Sequence, residues 1–474
     1  MNMNLSELSL REKIGQMFIV GVMDDKHLQK VLLDYHVGGI IHFSRNGQTA
    51  KEAFDFFSRA RALSKHPLIR TIDQEGGIVT RIKEGITPIS GNMAIAATGD
   101  TKNAEIASHI LSKELTAIGA NMNLAPVVDV NNNAKNPVIG VRSFGENPDR
   151  VADFSSAALK GYKENNMLAV AKHFPGHGDT STDSHFNLPR VDHDLERLHQ
   201  VELKPFKRMI DENIDGIMIS HVMFKAIDDK RPATLSKRVI TDLLRDELDY
   251  QGLIMTDCME MHAVSKFVDP KMAAVEAILS GVDMVMYSSD LDVQVACMEA
   301  VYEAVKSGLI SEEIIDKAVK RIIRHKSYMS QVDMSWDEAR KLIMTEEAMG
   351  ATVKIALSSI TQKGRLPFDL SECQNYYIPD SDLLKETFED AKSYDMINKD
   401  KALVFYRNKA DLESYIDKLD PGKVVLVNLK SPYEVFGGFT TLFTYELSRL
   451  SLTGLQAVLE GDAALGKLPV SEVI

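Results

Sequence analysis

The feature that most constrains the fold is a series of eight short apolar runs in the first 288 residues. Near-continuous apolar runs are typical of parallel strands that are covered on both faces. Longer stretches between them, such as 103–119 and 237–248, have apolar residues three and four positions apart, as on one face of a helix. The runs occupy residues 17–22, 37–43, 68–73, 122–130, 167–174, 216–222, 252–257 and 283–288.

Eight strands alternating with helices predict an α/β fold whose first part, residues 1–345, is a (β/α)8 TIM-like barrel. The pattern restarts in residues 346–474, which we expect to form a smaller α/β domain, a three-layer sandwich with four strands. A helix at 346–360 and a turn at 361–370, marked by Gly364 and Pro367, link the two. The predicted strands of this domain are 376–379, 402–407, 423–429 and 441–446.

Charge and composition restrict the partners and the compartment. The net charge of −13 argues against nucleic acid or an anionic membrane as a partner, since either would require a basic patch. The three cysteines are too few and too scattered for a disulfide framework or a zinc knuckle. The first residues carry no secretory signal, and no apolar run is long enough to cross a membrane. We therefore expect a cytoplasmic protein with free thiols.

Polar residues follow five of the predicted strands. In a barrel of this kind catalytic groups collect in the loops at the carboxyl ends of the strands. One aspartate at a strand end is usually a helix cap, but capping does not explain five such positions. We therefore expect these side chains to share one opening: Asp73, Arg142, Lys172 with His173, His221 and Asp257.

The stretch 171–189 is the densest in titratable groups. Lys172 ends a buried strand, so it requires either a carboxylate partner, such as Asp73 or Asp129, or a bound ligand. Asp183 and His185 stand two residues apart in the loop that follows. A carboxylate beside an imidazole suits acid/base catalysis near neutral pH, although a surface pair would look the same in sequence.

This stretch resembles the signature of glycoside hydrolase family 3, in its β-N-acetylglucosaminidase branch. The resemblance rests on K-H-F-P-G-H-G, then four residues, then D-S-H. Four further segments resemble the family's pattern, namely IDQEGGIVTRI, NPVIGVRSFGENP, TDCMEMHAV and the late GDAALGKLPV. The similarity covers most of residues 10–340 and fragments of the rest.

The resemblance implies a role for each matching residue. Asp257 matches the nucleophile, and His185 matches the general acid/base, with Asp183 as its partner. His177 lies in the same loop, where it assists sugar binding or loop geometry, and His221 matches a position near the sugar. The residues that match those holding the sugar's hydroxyls are Asp73, Arg142, Lys172 and His173.

These roles predict a retaining β-N-acetylglucosaminidase that works through a covalent glycosyl-enzyme. The expected substrate is N-acetylglucosamine β-linked in cell-wall-derived muropeptides or related glycosides. The reaction uses side chains alone, so we expect no metal and no other cofactor. Phosphorolysis, or a broader β-hexosaminidase or β-glucosidase activity, stays open as an alternative. The second domain is shorter than the family's usual sandwich, which leaves the choice between a monomer and a homodimer open.

Two other classes of function compete with this reading. A metal-dependent hydrolase would draw its ligands from His173, His177, Asp179, Asp183 and His185. Barrel metal sites usually take ligands from several strand ends, which disfavours this set. A catalytically silent sugar-binding protein would be expected to have lost the nucleophile or the acid/base pair, and the sequence retains both.

Overall fold

A closed barrel of eight parallel strands forms the first part of the chain, which confirms the predicted fold class. We describe a computed structural model, and it covers residues 3–180, 188–265, 268–331, 333–373, 375–397 and 400–471. Each strand pairs with its neighbours in sequence, and the first pairs with the last to close the barrel. The strands are β1 Phe18–Gly21, β2 Gly39–His42, β3 Ile69–Ile72, β4 Met122–Asn123, β5 Leu168–Phe174, β6 Gly216–Ile219, β7 Leu253–Cys258 and β8 Met284–Tyr287.

Helices pack around the barrel between successive strands. Their ends follow local sequence signals: the Asn147 side chain accepts hydrogen bonds from the first turn of the helix Pro148–Lys163, and proline opens that helix. The stretch predicted at 237–248 forms a π-helix, Arg238–Glu247, and a second one is Lys30–Asp34. The α-helices are Leu10–Gln16, Asp25–Gln29, Ala50–Leu63, Asn92–Ala97, Lys102–Ala117, Pro148–Lys163, Leu195–Gln200, Leu203–Asp211, His262–Ser265, Pro270–Leu279, Leu291–Lys306, Glu312–Tyr328 and Trp336–Ala339.

Strand β4 is much shorter than the apolar run at 122–130 suggested. Pro126 has no N–H to donate to a ladder, so regular pairing stops after Asn123. The rest of the run still lies along β5, with hydrogen bonds from Val170 N to Ala125 O and from Val128 N to Lys172 O, each 2.9 Å long. The irregular path brings Asp129 beside His173 at the mouth of the barrel.

A five-stranded sheet forms the core of the second domain. The four predicted strands are present, and a fifth, β9 Thr361–Lys363, lies in the segment that we expected to be a turn. β9 is polar and only three residues long, so no apolar pattern announced it. It runs antiparallel to the last strand in a sheet of order β9-β13-β12-β11-β10. The other strands are β10 Tyr376–Tyr377, β11 Ala402–Tyr406, β12 Val424–Asn428 and β13 Thr440–Phe443.

Both faces of this sheet are buried, as alternation along β11 requires. Leu403 and Phe405 pack in one apolar cluster with the helix Arg449–Leu459. Val404 and Tyr406 pack in another cluster on the opposite face. The remaining helices of this part are Glu346–Ser359, Asp382–Thr387 and Lys409–Leu412.

The two parts of the molecule share apolar contacts. The helix Glu346–Ser359 supplies Ala348 and Ile355 to the barrel core and also contacts the helix Arg449–Leu459. The division at residue 345 therefore stays a prediction, because this helix belongs to both sides. Across residues 3–471, outside the short gaps, no helix is both long and apolar enough to cross a membrane.

Candidate active site

A cavity of about 640 Å³ opens at the carboxyl ends of the barrel strands. Its position agrees with the expectation that side chains at these strand ends share one opening. Asp73 directly follows β3. Lys172 and His173 lie near the carboxyl end of β5, and Asp257 lies near the carboxyl end of β7. Six of the predicted site residues line the cavity, namely Asp73, Arg142, Lys172, His173, His177 and Asp257.

Lys172 is the buried cation at the base of this cavity, with 2% of its side chain exposed. Its Nζ lies 2.8 Å from Asp73 Oδ1 and 2.6 Å from Glu75 Oε1. Burial works to lower the pKa of Lys172, but the two carboxylates outweigh it and raise the pKa, so the ammonium group stays charged. Of the two carboxylate partners considered from sequence, Asp73 is the one that pairs with Lys172.

Glu75 and Arg142 form a two-bond ion pair beside the lysine. Arg142 Nη2 and Nε donate to the two carboxylate oxygens of Glu75 at 2.8 and 3.0 Å. Burial raises the pKa of Glu75, but the charges of Arg142 and Lys172 outweigh burial and hold it well below its usual range. Glu75 was not among the predicted site residues, although it stands two positions after Asp73 in the quoted DQEGG segment.

Asp129 organises the two histidines of the motif. It accepts a hydrogen bond at 2.8 Å from His173 Nδ1, and the backbone N–H of His177 donates to it at 2.6 Å. Burial raises the pKa of Asp129, but the charge of His173 and the hydrogen bonds outweigh it and lower the pKa. An ionised carboxylate on Nδ1 fixes the orientation of the His173 ring, with Nε2 as the remaining nitrogen.

His177 is held in the neutral form. The Thr180 hydroxyl donates to His177 O at 3.1 Å, so its oxygen accepts from His177 Nδ1–H at 2.8 Å. Burial lowers the pKa of His177 to about 4. Its Nε2 is therefore an unprotonated acceptor, and it is buried without a hydrogen-bond partner among the residues that the structure describes.

Asp257 is ionised although its surroundings are largely buried. Burial raises the pKa of this carboxyl, but the positive charges of His221 and His173 outweigh it, and the net shift is downward. Asp257 Oδ1 also accepts the backbone N–H of Cys258 at 2.7 Å. An anion fixed at the end of a barrel strand can act as a nucleophile or stabilise a developing cation.

His221 was expected to share this opening, but it does not line the cavity, because both ring nitrogens are bonded to groups of the protein. Nε2 lies 2.9 Å from Cys258 O, and Nδ1 lies 2.6 Å from Thr234 Oγ1. Because the Thr234 hydroxyl donates to Ser220 O at 2.7 Å, its oxygen accepts from Nδ1–H. These bonds fix the ring, and its electrostatic interaction with Asp257 works to lower the pKa of that carboxyl.

Glu260 ties the loop after β7 to the loop after β8. Its carboxylate accepts hydrogen bonds from the backbone N–H groups of Ser288, Ser289 and Asp290 at the start of the helix Leu291–Lys306. Nearby, burial raises the pKa of the Cys258 thiol to about 12, so this cysteine is not a nucleophile at neutral pH.

One cluster within the described ranges has the geometry of a metal site, namely Asp179, His193 and Glu202. Glu202 already binds Arg197 Nη1 at 2.7 Å and Asn132 Nδ2 at 3.0 Å, so a cation competes there with a guanidinium. Of the ligands considered for a metal hydrolase, His173 and His177 bind Asp129 and Thr180 through Nδ1, and Asp183 and His185 lie outside the described residues.

Asp183 and His185, the predicted acid/base pair, lie outside the residues that the structure describes. The preceding segment ends at Thr180, whose hydroxyl bonds His177 of the cavity wall. The following segment returns to the barrel at Pro189, whose carbonyl accepts from Met223 N at 2.9 Å. The described residues on either side of 181–187 are therefore anchored at the carboxyl end of the barrel, and the role of the pair stays a prediction.

Comparison with known proteins agrees with this geometry. Residues 9–325 match the family model described as the glycosyl hydrolase family 3 N-terminal domain. Beta-hexosaminidase A of Pseudoalteromonas piscicida is 35% identical over 385 residues, which span 74% of this chain and 64% of that relative. Beta-hexosaminidase of Alkalilimnicola ehrlichii is 37% identical over 256 residues, 53% of this chain and 73% of that relative.

The likeness to a solved structure extends through the second domain. The structure of a glycoside hydrolase family 3 beta-N-acetylglucosaminidase from Paenibacillus sp. str. FPU-7 superposes with a TM-score of 0.89 at 33% identity, covering 98% of this chain and 99% of that one. The chain spans a little less than two thirds of the Pseudoalteromonas relative, which is the longer protein. With a family model that matches most of the barrel and a likeness that runs the length of the fold, the protein belongs to glycosyl hydrolase family 3.

Proposed function

We propose that the protein is a retaining β-N-acetylglucosaminidase with Asp257 as its nucleophile. The observation that carries the proposal is the ionised Asp257 carboxylate in a cavity lined by charged groups and histidines. A glycosidase needs such an anion on one face of the sugar and a proton donor on the other. The relatives named beta-hexosaminidase and beta-N-acetylglucosaminidase support the choice of sugar.

The proposed reaction has two balanced steps. Asp257 attacks the anomeric carbon while His185, oriented by Asp183, donates a proton to the leaving oxygen, which gives a glycosyl-enzyme and the free aglycone. The neutral His185 then removes a proton from water, which attacks the same carbon and releases Asp257. Two inversions retain the β configuration.

The groups around the cavity are proposed to bind the sugar's hydroxyls. Asp73 and Glu75 accept hydrogen bonds, whereas Lys172 and Arg142 donate them, and these four residues are already linked by ion pairs. His177 contributes the unprotonated Nε2 as an acceptor. The fixed His173 ring is a further group for binding the sugar. His221 contributes indirectly, by helping to keep Asp257 ionised.

We infer that the natural substrate is N-acetylglucosamine β-linked to a muramic acid residue of a recycled cell-wall fragment, which would place the enzyme in the cytoplasm. We further propose domains at 1–345 and 346–474 and a monomer or homodimer in solution. A neutral imidazole base repels an anionic acceptor less than a carboxylate does, so phosphate is an alternative acceptor to water that the assay must include.

The test is a panel of p-nitrophenyl β-glycosides assayed with and without phosphate. We expect kcat/KM for the N-acetylglucosaminide to exceed that for the glucoside, and N-acetylglucosamine to be the product in phosphate buffer. Activity should survive dialysis against EDTA. Faster cleavage of the glucoside would refute the proposed substrate, and a sugar phosphate as the product would establish phosphorolysis. A loss of activity on dialysis that added zinc restores would overturn the mechanism.

A further inference from the structure

The second domain contacts the barrel at the turn that carries Arg142. Val141, the residue before it, packs in an apolar cluster with Tyr433 and Tyr445 of the second domain. Both tyrosines are buried, with 6% and 2% of their surface exposed. Arg142 itself extends from this turn into the cavity, where it binds Glu75.

The Tyr433 hydroxyl is connected to the same turn through hydrogen bonds to Asn131. It donates to Asn131 O at 3.1 Å and accepts from Asn131 Nδ2 at 2.9 Å. The other side-chain atom of this residue, Asn131 Oδ1, accepts from Gly140 N at 2.9 Å, and Gly140 opens the turn Gly140–Arg142. One hydroxyl of the second domain therefore fixes the amide group that holds the Arg142 turn.

A second contact from the same domain supports the neighbouring segment. Glu446 Oε2 accepts from Gly91 N at 2.9 Å, and Glu446 is 4% exposed. A methyl group added to Gly77 would stand 2.6 Å from Glu446 Oε2, so this carboxylate packs closely against the chain two residues after Glu75. The second domain thus touches both segments from which the Glu75–Arg142 ion pair is built.

We propose that Tyr433 is a positioning residue, which sets the affinity of the barrel for its sugar by holding the Asn131 amide and, through it, the Arg142 turn. The proposal rests on the sugar-binding role of Arg142 given under the proposed function. Arg142 is held by its ion pair with Glu75 and is expected to bind the sugar equally in the ground state and the transition state. A displaced Arg142 should therefore raise KM and leave kcat nearly unchanged.

The experiment compares Tyr433→Phe with a matched control, Tyr445→Phe. Each change removes one buried hydroxyl from the same cluster, but the Tyr445 hydroxyl donates to Thr361 Oγ1 at 2.7 Å, inside the second domain. We expect Tyr433→Phe to raise KM for the p-nitrophenyl N-acetylglucosaminide roughly three- to tenfold, which is the effect of one lost hydrogen bond, with kcat within about twofold. Tyr445→Phe should keep the wild-type KM at a similar loss of thermal stability.

A double-mutant cycle separates positioning from general destabilisation. In the Arg142→Ala background, Tyr433→Phe should raise KM no further, because the residue that it positions is absent. Asn131→Ala is the second route to the same defect and should raise KM at least as much, which keeps the test decisive should Tyr433→Phe fold poorly. Equal KM values for Tyr433→Phe and Tyr445→Phe, or additive effects in the cycle, would overturn the proposal.

Hydrogen–deuterium exchange tests the contact without any substrate. Peptides that contain residues 138–145 should exchange faster in Tyr433→Phe than in Tyr445→Phe, because the Gly140 N–H bond to Asn131 is weakened. If the wild-type enzyme cleaves none of the glycosides, the proposed function fails while this measurement still decides the role of Tyr433. Identical exchange in the two variants would refute that role.

Discussion

At the scale of single residues, fixed opposite charges decide which groups in the cavity are ionised. Glu75 stays anionic between Arg142 and Lys172, and Asp257 stays anionic because His221 and His173 outweigh its burial. His177 has a hydroxyl as its ring partner and remains neutral. The cavity therefore presents fixed donors, fixed acceptors and the Asp257 anion at the end of β7.

The first prediction concerns His185. General acid catalysis is worth roughly 10²–10⁴-fold, and only when the leaving group needs the proton. His185→Ala should therefore form the glycosyl-enzyme readily from a p-nitrophenyl glycoside, stall before hydrolysis, and barely cleave a disaccharide. Added azide, which needs no base, should restore turnover and give the β-glycosyl azide.

Steady-state kinetics with and without azide check this outcome. Asp257→Ala is the comparison, and it should form no β-glycosyl azide when azide is added. Asp183→Ala should show a milder form of the His185→Ala pattern. A His185→Ala enzyme that cleaves a disaccharide near the wild-type rate would move the acid/base role elsewhere, with Asp179 as the next candidate, since Arg142 and Lys172 keep Glu75 anionic.

At the scale of elements, the barrel strands position the site, and the loops between them are tied together by buried carboxylates. Glu260 is the clearest case, since it lies after β7 and binds three consecutive backbone N–H groups after β8. Asp129 does the same between the β4 segment and the motif after β5. These contacts explain how loops of irregular backbone hold the side chains of the cavity in place.

The second prediction tests Glu260. Glu260→Ala should lower the free energy of unfolding by about 1–3 kcal/mol, because three backbone donors lose a charged acceptor. Glu299→Ala is the matched control on the following helix, where Glu299 makes an exposed ion pair with Arg11 at 2.6 Å. That control should cost no more than about 1 kcal/mol in urea unfolding. Equal losses would mean that the Glu260 contacts contribute little.

Sequence predicted the barrel and the strand-end residues well, because topology alone places the carboxyl ends of parallel strands together. Lys172, His173 and Asp257 were expected at one opening for this reason, and they line it. Partners that depend on loop paths were not predictable: Asp129 reaches His173 only because β4 stops after Asn123. The polar strand β9 was missed, since three residues without an apolar period carry no signal.

At the scale of the whole molecule, the second domain is packed against the barrel beside the cavity. Its Tyr433 and Glu446 contact the segments that carry Arg142 and Glu75. At the opposite, amino-terminal end of the barrel lies a buried lysine. Lys326 is 3% exposed, and its Nζ donates to the neutral Gln16 Oε1 at 2.6 Å.

The third prediction concerns this lysine. Burial lowers the pKa of Lys326 to about 7, below its ordinary value of 10.5. Between these two values the folded protein holds fewer protons than the unfolded chain, so the stability contributed by this site rises with pH, and the full cost of burial applies below pH 7. Lys326→Met removes that cost and leaves one amide oxygen without a donor.

Lys326→Met should therefore raise the free energy of unfolding at pH 6.5 by about 1–3 kcal/mol, with a smaller gain at pH 9. Urea unfolding of both proteins at the two pH values measures the difference. A variant that is less stable than the wild type at pH 6.5, or whose advantage grows with pH, would contradict the assignment of Lys326 as an uncompensated buried group.

The central claim, that Asp257 forms a covalent bond to the sugar, is tested most directly by trapping that intermediate. Incubation with a mechanism-based fluorinated N-acetylglucosaminyl donor should add the mass of one glycosyl group to the intact protein. Proteolysis and mass spectrometry should place it on the peptide that contains Asp257, with no label on Asp257→Ala. Label on another carboxylate, such as Glu75 or Asp73, or turnover by the wild type with no trapped adduct, would contradict the account.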